Sequence, residues 1–391
     1  MCIETKAWIP LLFVLCLPLS WAASAIGSVY RWITLLLFFF CIVKNKAKIR
    51  IAKTSMPMFL AMSFMVGFSV FSTIWGTSIS EGIKGALSFI LMYLVAIVFV
   101  SFDYGKSRLS ERLDQFWIAV GIISACLFIF GDRAKIGLYG SRTSLRILGT
   151  STDPNEFAGL FAVPLAVNVY YAFTAKGRKR IINILAMAVE MFVVLLSGSR
   201  GAMIACIISM TLTILFCIQM SIKNILILSI VVLLLAVVFA RYVLPLVPAD
   251  ILVRMKLQTI LNDGGGGRST IWESALEQYW NGNVFRILFG YGANGLIAVG
   301  ERGATGTMHN YYLQVLTNFG LVGLGIYLNL FWKAVRRFWI CNRKYVPGLI
   351  AMAALSLTLT TTPNYKPIWI LLMTAMIPQS NLAEMEKDDL E

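Results

Sequence analysis

Long apolar runs dominate this chain and place the strongest limit on its fold. A helix needs about 20 apolar residues to cross a bilayer, and the sequence holds about twelve such runs between residues 8 and 379. Hydrophobic residues fill 58% of the 391 positions and charged residues only 14%, whereas soluble domains have about 45–50% and 25%. A soluble enzyme, a secreted disulfide scaffold and a disordered tail are excluded. We expect an all-α polytopic membrane protein, with residues 1–391 forming one integral membrane domain.

The predicted spans are separated mostly by short polar segments. The first span is expected to be retained rather than cleaved as a signal peptide, because Lys6 is the only basic residue before it. The spans are predicted at residues 8–25, 29–43, 57–75, 85–102, 116–130, 155–175, 181–198, 201–220, 224–241, 310–331, 346–361 and 367–379.

The basic residues indicate how the chain is oriented. The net charge of +15 would suggest a nucleic-acid partner in a soluble protein. Lys and Arg collect in the cytoplasmic loops of membrane proteins, so no nucleic acid is expected here, and the bias favours both termini in the cytoplasm. Short outer segments hold only four basic residues, and ten more lie in or at the edge of two long outer loops, 131–154 and 242–309. They make the outer face electropositive, which suits an anionic substrate such as a lipid-linked phosphate.

The extracytoplasmic loop 242–309, between the ninth and tenth spans, contains four consecutive glycines followed by Arg268. Thr270 and Glu273 fit a capping box, so an amphipathic helix is predicted near residues 270–281, where it would lie along the membrane surface. Arg268 would then flank the N-terminal amides of this helix, where anions are favoured. The alternative is a flexible hinge that carries an incidental arginine.

Two further positions are candidates for chemistry at the outer face. Arg200 ends the run Ser197-Gly198-Ser199-Arg200 beside Gly201, where small residues leave space around a guanidinium between packed helices; the alternative is an interfacial anchor. His309 is the single histidine of the chain. Its ordinary pKa near 6.5 makes it the natural base at neutral pH, although a lone histidine is more often structural.

Polar residues near these positions are candidates for contacts with substrate. In loop 131–154, Arg142 and Arg146 provide charge for a second polyanionic substrate, and the alternative is a solvated loop surface. Asp153 and Asn155 precede the sixth span, where they either cap its helix or contact sugar hydroxyls. Asn310 adjoins His309 and is included among the substrate-binding candidates.

Several motifs are missing from the sequence. It contains no DxD pair for a nucleotide-sugar metal, no nucleotide-binding loop, no HExxH, and no CxxC pair among its seven cysteines. We therefore expect no metal, no other cofactor and no disulfide framework.

Taken together, the segments around Arg200, Arg268 and His309, followed by Asn318-Phe-Gly-Leu-Val-Gly323, resemble the O-antigen ligase/Wzy-type polymerase superfamily of bacterial surface-polysaccharide enzymes. The resemblance implies a GT-C-like fold and metal-independent, inverting glycosyl transfer from an undecaprenyl-diphosphate-linked oligosaccharide, at the outer face of the bacterial inner membrane. By match with the family, Arg200 and Arg268 bind the diphosphate. His309 takes the position proposed to activate the acceptor hydroxyl.

Three functions remain open at this point. A polymerase joins two lipid-linked repeats, and the Asp153–Glu156 segment together with the basic loop 131–154 favours it. A ligase transfers the glycan to another acceptor, such as lipid A core. A transporter or flippase is disfavoured because the two halves of the chain show no repeat symmetry. Besides the glycan or lipid acceptor and the bilayer, a chain-length regulator and a flippase are expected partners.

Overall fold

The computed structural model describes most of the chain. The described residues are 8–24, 27–44, 49, 51–101, 109–136, 142–218, 221–256, 258–259, 264–296, 298–299, 305–306, 308–359 and 365–377. The two ends of the chain lie outside these ranges, so the cytoplasmic location of both termini stays a prediction.

The described residues are mostly helical. Their α-helices are α1 Trp8–Leu15, α2 Val29–Lys44, α3 Met56–Phe71, α4 Ile79–Val100, α5 Leu109–Phe130, α6 Pro154–Gly159, α7 Ala162–Thr174, α8 Gly177–Ser197, α9 Arg200–Cys217, α10 Ile222–Val238, α11 Ala249–Met255, α12 Gly264–Trp280, α13 Val284–Phe289, α14 Tyr311–Cys341, α15 Val346–Leu355 and α16 Lys366–Thr374.

Seven helical segments in the described part of the chain are long and apolar enough to cross a membrane. They are Lys53–Phe71, Ile79–Val100, Arg112–Phe130, Pro154–Thr174, Gly177–Ser197, Arg200–Cys217 and Tyr311–Cys341. These coincide with the third to eighth and the tenth predicted spans. At the other five predicted positions the helices are shorter, down to eight residues in α1. The structure thus agrees with a polytopic helical membrane protein, and the number of twelve spans stays a prediction.

Short strands that the sequence did not predict occur in the loops between the helices. In loop 131–154, β3 (Arg133–Ile136), β4 (Arg142–Ile147) and β5 (Thr150–Ser151) form an antiparallel sheet in that order. Two-stranded pairs join β1 (Ala23–Ser24) to β2 (Gly27–Ser28) and β6 (Ala298–Val299) to β7 (Thr305–Gly306). Strands of two to six residues carry no long hydropathy pattern, which is why the sequence did not reveal them.

The helix of the large loop begins earlier than predicted. Helix α12 starts at Gly264 rather than at Thr270, so the predicted capping box is wrong and Arg268 lies within the first turns. One face of α12 is buried through Ala275 and Tyr279 and packs against Met308 and other apolar side chains of the chain. Because protein covers this face, its amphipathic pattern is explained without a membrane surface.

Helix α14 is broken near its N-terminal end, and residues 291–292 fill the break. Gly320 has φ of +66° and interrupts the helix. The carbonyls of Thr317 and Asn318 accept hydrogen bonds from the amides of Tyr291 and Gly292, each at 2.9 Å. A continuous helix would satisfy these carbonyls with its own amides. Since unsatisfied backbone groups are costly within a membrane, the segment at residues 291–292 is required for the break.

A polar cluster at the opposite end of the bundle ties three segments together. Asp114, near the start of α5, pairs with Lys344 at 2.6 Å. Its carboxylate also accepts hydrogen bonds from the hydroxyls of Tyr345 at 2.7 Å and Tyr171 at 2.5 Å. Tyr171 is near the end of α7 and Lys344 follows α14, so this cluster and His309 mark opposite ends of the same helices.

The break in α14 predicts different outcomes for two glycine substitutions in one helix. A Cβ at Gly320 would clash with the backbone of Leu288 and Phe289, and the positive φ disfavours any other residue. We expect Gly320→Ala to lower the free energy of unfolding by about 2 kcal/mol or more. Gly325→Ala is the matched control, because nothing lies within 4 Å of its added Cβ.

The measurement is thermal unfolding of both variants in the same detergent. An equal melting temperature for Gly320→Ala and the wild-type protein would contradict the structural role assigned to the break.

Candidate functional site

His309 lies immediately before α14, at the end of the loop that is predicted to be extracytoplasmic. Its backbone has φ of +47°, a conformation uncommon for residues other than glycine and often found at functional sites. Its side chain is partly buried. The backbone at His309 thus has a conformation that the surrounding structure must maintain, and its imidazole is partly shielded from solvent.

Three other sequence-predicted residues lie close enough to act electrostatically on His309. Burial lowers the pKa of His309 below its ordinary value of 6.5, and the positive charge of Arg268 lowers it further. The charge of Asp153 raises this pKa, and that of Arg142 lowers it. Burial and two cations outweigh one carboxylate, so the imidazole is neutral at pH 7 and has a ring nitrogen available to accept a proton.

These residues come from four separate segments of the chain. Arg142 begins β4, Asp153 precedes α6, Arg268 is in α12, and His309 precedes α14. The Nε atom of Arg142 is buried and has no hydrogen-bond partner among the described residues. A buried guanidinium nitrogen without a partner is costly, and an anionic oxygen would satisfy it. The fold thus concentrates positive charge beside a neutral base.

The position of Arg268 is fixed by contacts of its helix. The indole Nε1 of Trp272 donates a hydrogen bond to the carbonyl of Met308 at 2.7 Å, the residue before His309. Met308 is buried with Ala275 and Tyr279 of the same helix in a small apolar core. Arg268 is one helical turn from Trp272, so its guanidinium is carried to the same side of the helix.

The segment before Arg200 is a tight turn between α8 and α9. Gly198, with φ of +70°, ends α8 in the left-handed conformation that favours glycine. The hydroxyl of Ser199 caps α9 by accepting a hydrogen bond from the amide of Ala202 at 3.2 Å. A Cβ at Gly201 is close to the side chain of Thr358. Turn formation at Gly198 and Ser199 and close packing at Gly201 explain why these residues are small. The turn places Arg200 as the first residue of α9.

Hydrogen bonds link the Arg200 turn to the segment that faces His309. One carboxylate oxygen of Asp153 caps α6 by accepting from the amides of Asn155 at 2.7 Å and Glu156 at 3.2 Å. The Oδ1 atom of Asn155 accepts from the hydroxyl of Ser199 at 2.7 Å. Capping therefore accounts for one oxygen of Asp153. Asn155 is buried and positions the turn, and a contact with sugar stays a prediction for both residues.

The two remaining predicted residues have contacts that are not with His309. The Oδ1 atom of Asn310 caps α14 by accepting from the amide of Leu313 at 3.1 Å, so a structural role is established for it. Arg146 is exposed and its described ion pair is with Asp132 at 3.7 Å. Unlike Arg142, it is absent from the charged groups that shift the pKa of His309. Substrate binding by Asn310 and Arg146 stays a prediction.

Sequence reasoning missed two residues that hold the site together. Arg254 in α11 donates from Nε to the carbonyl of Gly198 at 3.2 Å, which attaches the outer loop to the Arg200 turn. Trp272 attaches α12 to the residue before His309. Arg254 gave no signal beyond its charge. Trp272 gave a weak one, because an indole on the apolar face of a predicted amphipathic helix needs a partner for its N–H.

Within the described residues, no group of three or more His, Cys, Asp or Glu is arranged to hold a metal ion. What the site does contain is a set of guanidinium groups and one neutral imidazole. Arginines bind phosphate oxygens with two parallel hydrogen bonds, and a neutral imidazole accepts protons from hydroxyls. The arrangement is suited to binding an anion next to a hydroxyl that is to be deprotonated.

Comparison with known families identifies the middle part of the chain. Residues 182–328 match the family model described as O-antigen ligase (Wzy_C), which confirms the resemblance noted from the motifs. The matched segment includes Arg200, Arg268 and His309, and it ends in α14 beyond the break at Gly320. It is less than half of the chain, and Arg142, Arg146, Asp153 and Asn155 lie outside it. No curated protein matches the chain significantly.

The electrostatic environment of His309 predicts its titration. Because the chain has one histidine, the imidazole can be followed by NMR in histidine-labelled protein without assignment. We expect a midpoint below pH 6.5 in the wild-type protein. Arg142→Gln removes one positive charge and should move the midpoint upward, whereas Arg146→Gln, the control on the same strand, should leave it unchanged. A wild-type midpoint at or above 6.5, or equal shifts in both variants, would contradict this geometry.

Proposed function

We propose that the protein is a surface-polysaccharide polymerase that joins undecaprenyl-diphosphate-linked oligosaccharide repeats at the outer face of the bacterial inner membrane. The observation that carries this proposal is the convergence of Arg268, Arg142 and Asp153 on His309 from separate segments. The family match over residues 182–328 supports the glycan class of the substrates, and the membrane-spanning helices support a lipid-linked donor.

The proposed reaction is a single displacement at the anomeric carbon of the donor. His309 accepts the proton of the acceptor hydroxyl on a ring nitrogen, and the hydroxyl oxygen forms the new bond to the anomeric carbon. The bond from that carbon to the diphosphate oxygen breaks at the same time, so the configuration inverts. Arg200 and Arg268 stabilise the negative charge of the departing diphosphate, as fixed cations do for leaving groups in other transfers.

A lowered pKa suits His309 to this role. The neutral form is the one that accepts a proton, and the depressed pKa keeps it dominant at neutral pH. We expect the transfer rate to be level around neutral pH and to fall only as the pH drops through the lowered pKa of His309. Metal independence is part of the proposal, because arginine side chains supply the charge that a divalent cation supplies elsewhere.

One feature favours a polymerase over a ligase. Arg142 and Asp153 bring a second basic segment, outside the family match, to the same histidine. A polymerase uses two anionic lipid-linked substrates and therefore needs more positive charge at the outer face. The description of the matched family favours the second candidate, in which the glycan is transferred to lipid A core or another acceptor. Both reactions use the same three residues, so the acceptor decides between them.

Reconstituted transfer tests the proposal. Purified protein in liposomes is supplied with undecaprenyl-diphosphate-linked repeats, a chelator and no second acceptor, and the products are resolved by gel. We expect a ladder of lengthening glycans. Arg200→Ala, Arg268→Ala and His309→Ala should each reduce the rate about 100-fold or more. Arg241→Ala, which removes an exposed arginine at the edge of the predicted outer loop, should not.

The other outcomes are equally informative. Transfer that appears only after lipid A core is added would establish the ligase. Full activity in His309→Ala would show that His309 is not the base. Absence of transfer both with and without lipid A core, with the native donor supplied, would favour a transporter or flippase.

A further inference from the structure

A polar cavity opens next to the His309 segment, and none of the side chains placed at the His309 site lines it. It has a volume of about 470 Å³, within the range of about 300–1,000 Å³ that is common for small-ligand sites. It lies between the starts of α2 and α4, the loop at residues 293–294 and the first turns of α14. Because α14 begins directly after the site, this cavity is at the same end of the bundle as His309.

Two buried amides face this cavity without hydrogen-bond partners for their oxygens. Gln314 and Asn318 line it, at 8% and 5% exposure. Their Oε1 and Oδ1 atoms have no partner among the described residues. The two residues are one helical turn apart on α14, so both lie on the same wall of the cavity. Buried acceptors without partners are costly, and hydroxyl donors of a bound molecule would satisfy them.

Charged and aromatic groups complete the lining. Arg31 and the Lys84–Glu81 ion pair, at 2.6 Å, line the cavity. The rings of Phe89 and Phe319 lie edge to face at 5.6 Å and form an apolar wall. Amide, carboxylate and guanidinium groups next to aromatic rings match a molecule that has many hydroxyls and also apolar C–H faces. That description fits an oligosaccharide better than a fatty acyl chain or a bare phosphate.

The cavity is connected to the transfer site along α14. Tyr311, two residues after His309, lines it, and the backbone amide of Tyr311 is fixed by the carbonyl of Ser356 at 2.7 Å. Arg200, Arg268 and Asp153 do not line it. A sugar held by Gln314 and Asn318 would therefore lie beside the start of α14, in a space that the proposed diphosphate-binding arginines do not line.

We propose that this cavity binds the oligosaccharide of the acceptor substrate and presents its terminal sugar to His309. The assignment rests on the proposed glycosyl transfer. It adds a site for which Gln314 and Asn318 are the principal hydrogen-bonding residues. They act as acceptors for sugar hydroxyls and determine which glycan is elongated, while the chemistry remains with His309.

Direct binding tests the proposal on the full-length protein in nanodiscs. The probe is the repeat-unit oligosaccharide released by mild acid from the lipid-linked pool of the host cells, and binding is followed by saturation-transfer NMR and titration. Gln314→Met and Asn318→Leu keep the side-chain size and remove the amides. We expect each to weaken binding at least tenfold. In the transfer assay, we expect each to raise KM for the acceptor with little change in kcat.

Asn183→Leu is the matched control. Asn183 is also a buried asparagine whose Oδ1 lacks a described partner, but it is in α8 and does not line the cavity. Its substitution should leave binding unchanged. Melting temperatures of all three variants check folding, and Gln314→Met keeps the test decisive if Asn318→Leu disturbs the break in α14.

Three results would overturn the assignment. They are a lack of saturable binding by the wild-type protein, equal binding by both cavity variants and the control, and displacement of the oligosaccharide by undecaprenyl diphosphate. The last would assign the cavity to a lipid diphosphate instead. Failure of the proposed transfer is separable, since it appears as full activity in His309→Ala whatever the oligosaccharide binding shows.

Discussion

The hydrogen bonds from the amides of Tyr291 and Gly292 to the carbonyls of Thr317 and Asn318 hold the outer half of the molecule in place. They allow α14 to break at Gly320 inside an environment where unpaired backbone groups are costly. They also fasten the large outer loop to the bundle. Through this attachment and the Trp272–Met308 hydrogen bond, the position of Arg268 relative to His309 depends on the packing of the membrane helices. The same break lies beside the polar cavity at Gln314, because Asn318 and Phe319 line that cavity.

The site separates two electrostatic tasks among different segments. The positive charge near the base comes from Arg142 and Arg268, which belong to the predicted outer loops. The base, His309, immediately precedes the spanning helix α14. Placing arginines near a histidine lowers its pKa, so the same charges that attract an anionic substrate also keep the base neutral. Asp153 limits this effect and caps a helix at the same time. Because Asp153 has both of these functions, the effect of its substitution could not be assigned to either one. Arg142 and Arg146 are therefore the positions to substitute.

The sequence was sufficient to predict the features that depend on residue type and order. Apolar runs located the seven long spans, and the motifs around Arg200, Arg268 and His309 located a segment that a family model later matched. The contacts between the loops and the helices could not be predicted, because no local sequence pattern indicates that the amide of Tyr291 donates to the carbonyl of Thr317. The start of α12 was misplaced because four glycines normally disfavour a helix. In α12, the packing of Ala275 and Tyr279 against Met308 outweighs the low helix propensity of these glycines. The cavity at Gln314 was likewise invisible, since it forms between helices distant in sequence.

Binding of the lipid diphosphate tests the central claim most directly, since every step depends on an anion site between arginines. Purified protein in nanodiscs is titrated with undecaprenyl diphosphate and, in parallel, with undecaprenol, which has the same chain and no charge. The account predicts that the diphosphate binds at least tenfold more tightly, and that this preference disappears when Arg200 and Arg268 are both replaced by Gln. Equal affinity for the two lipids, or an unchanged preference in the double variant, would contradict it.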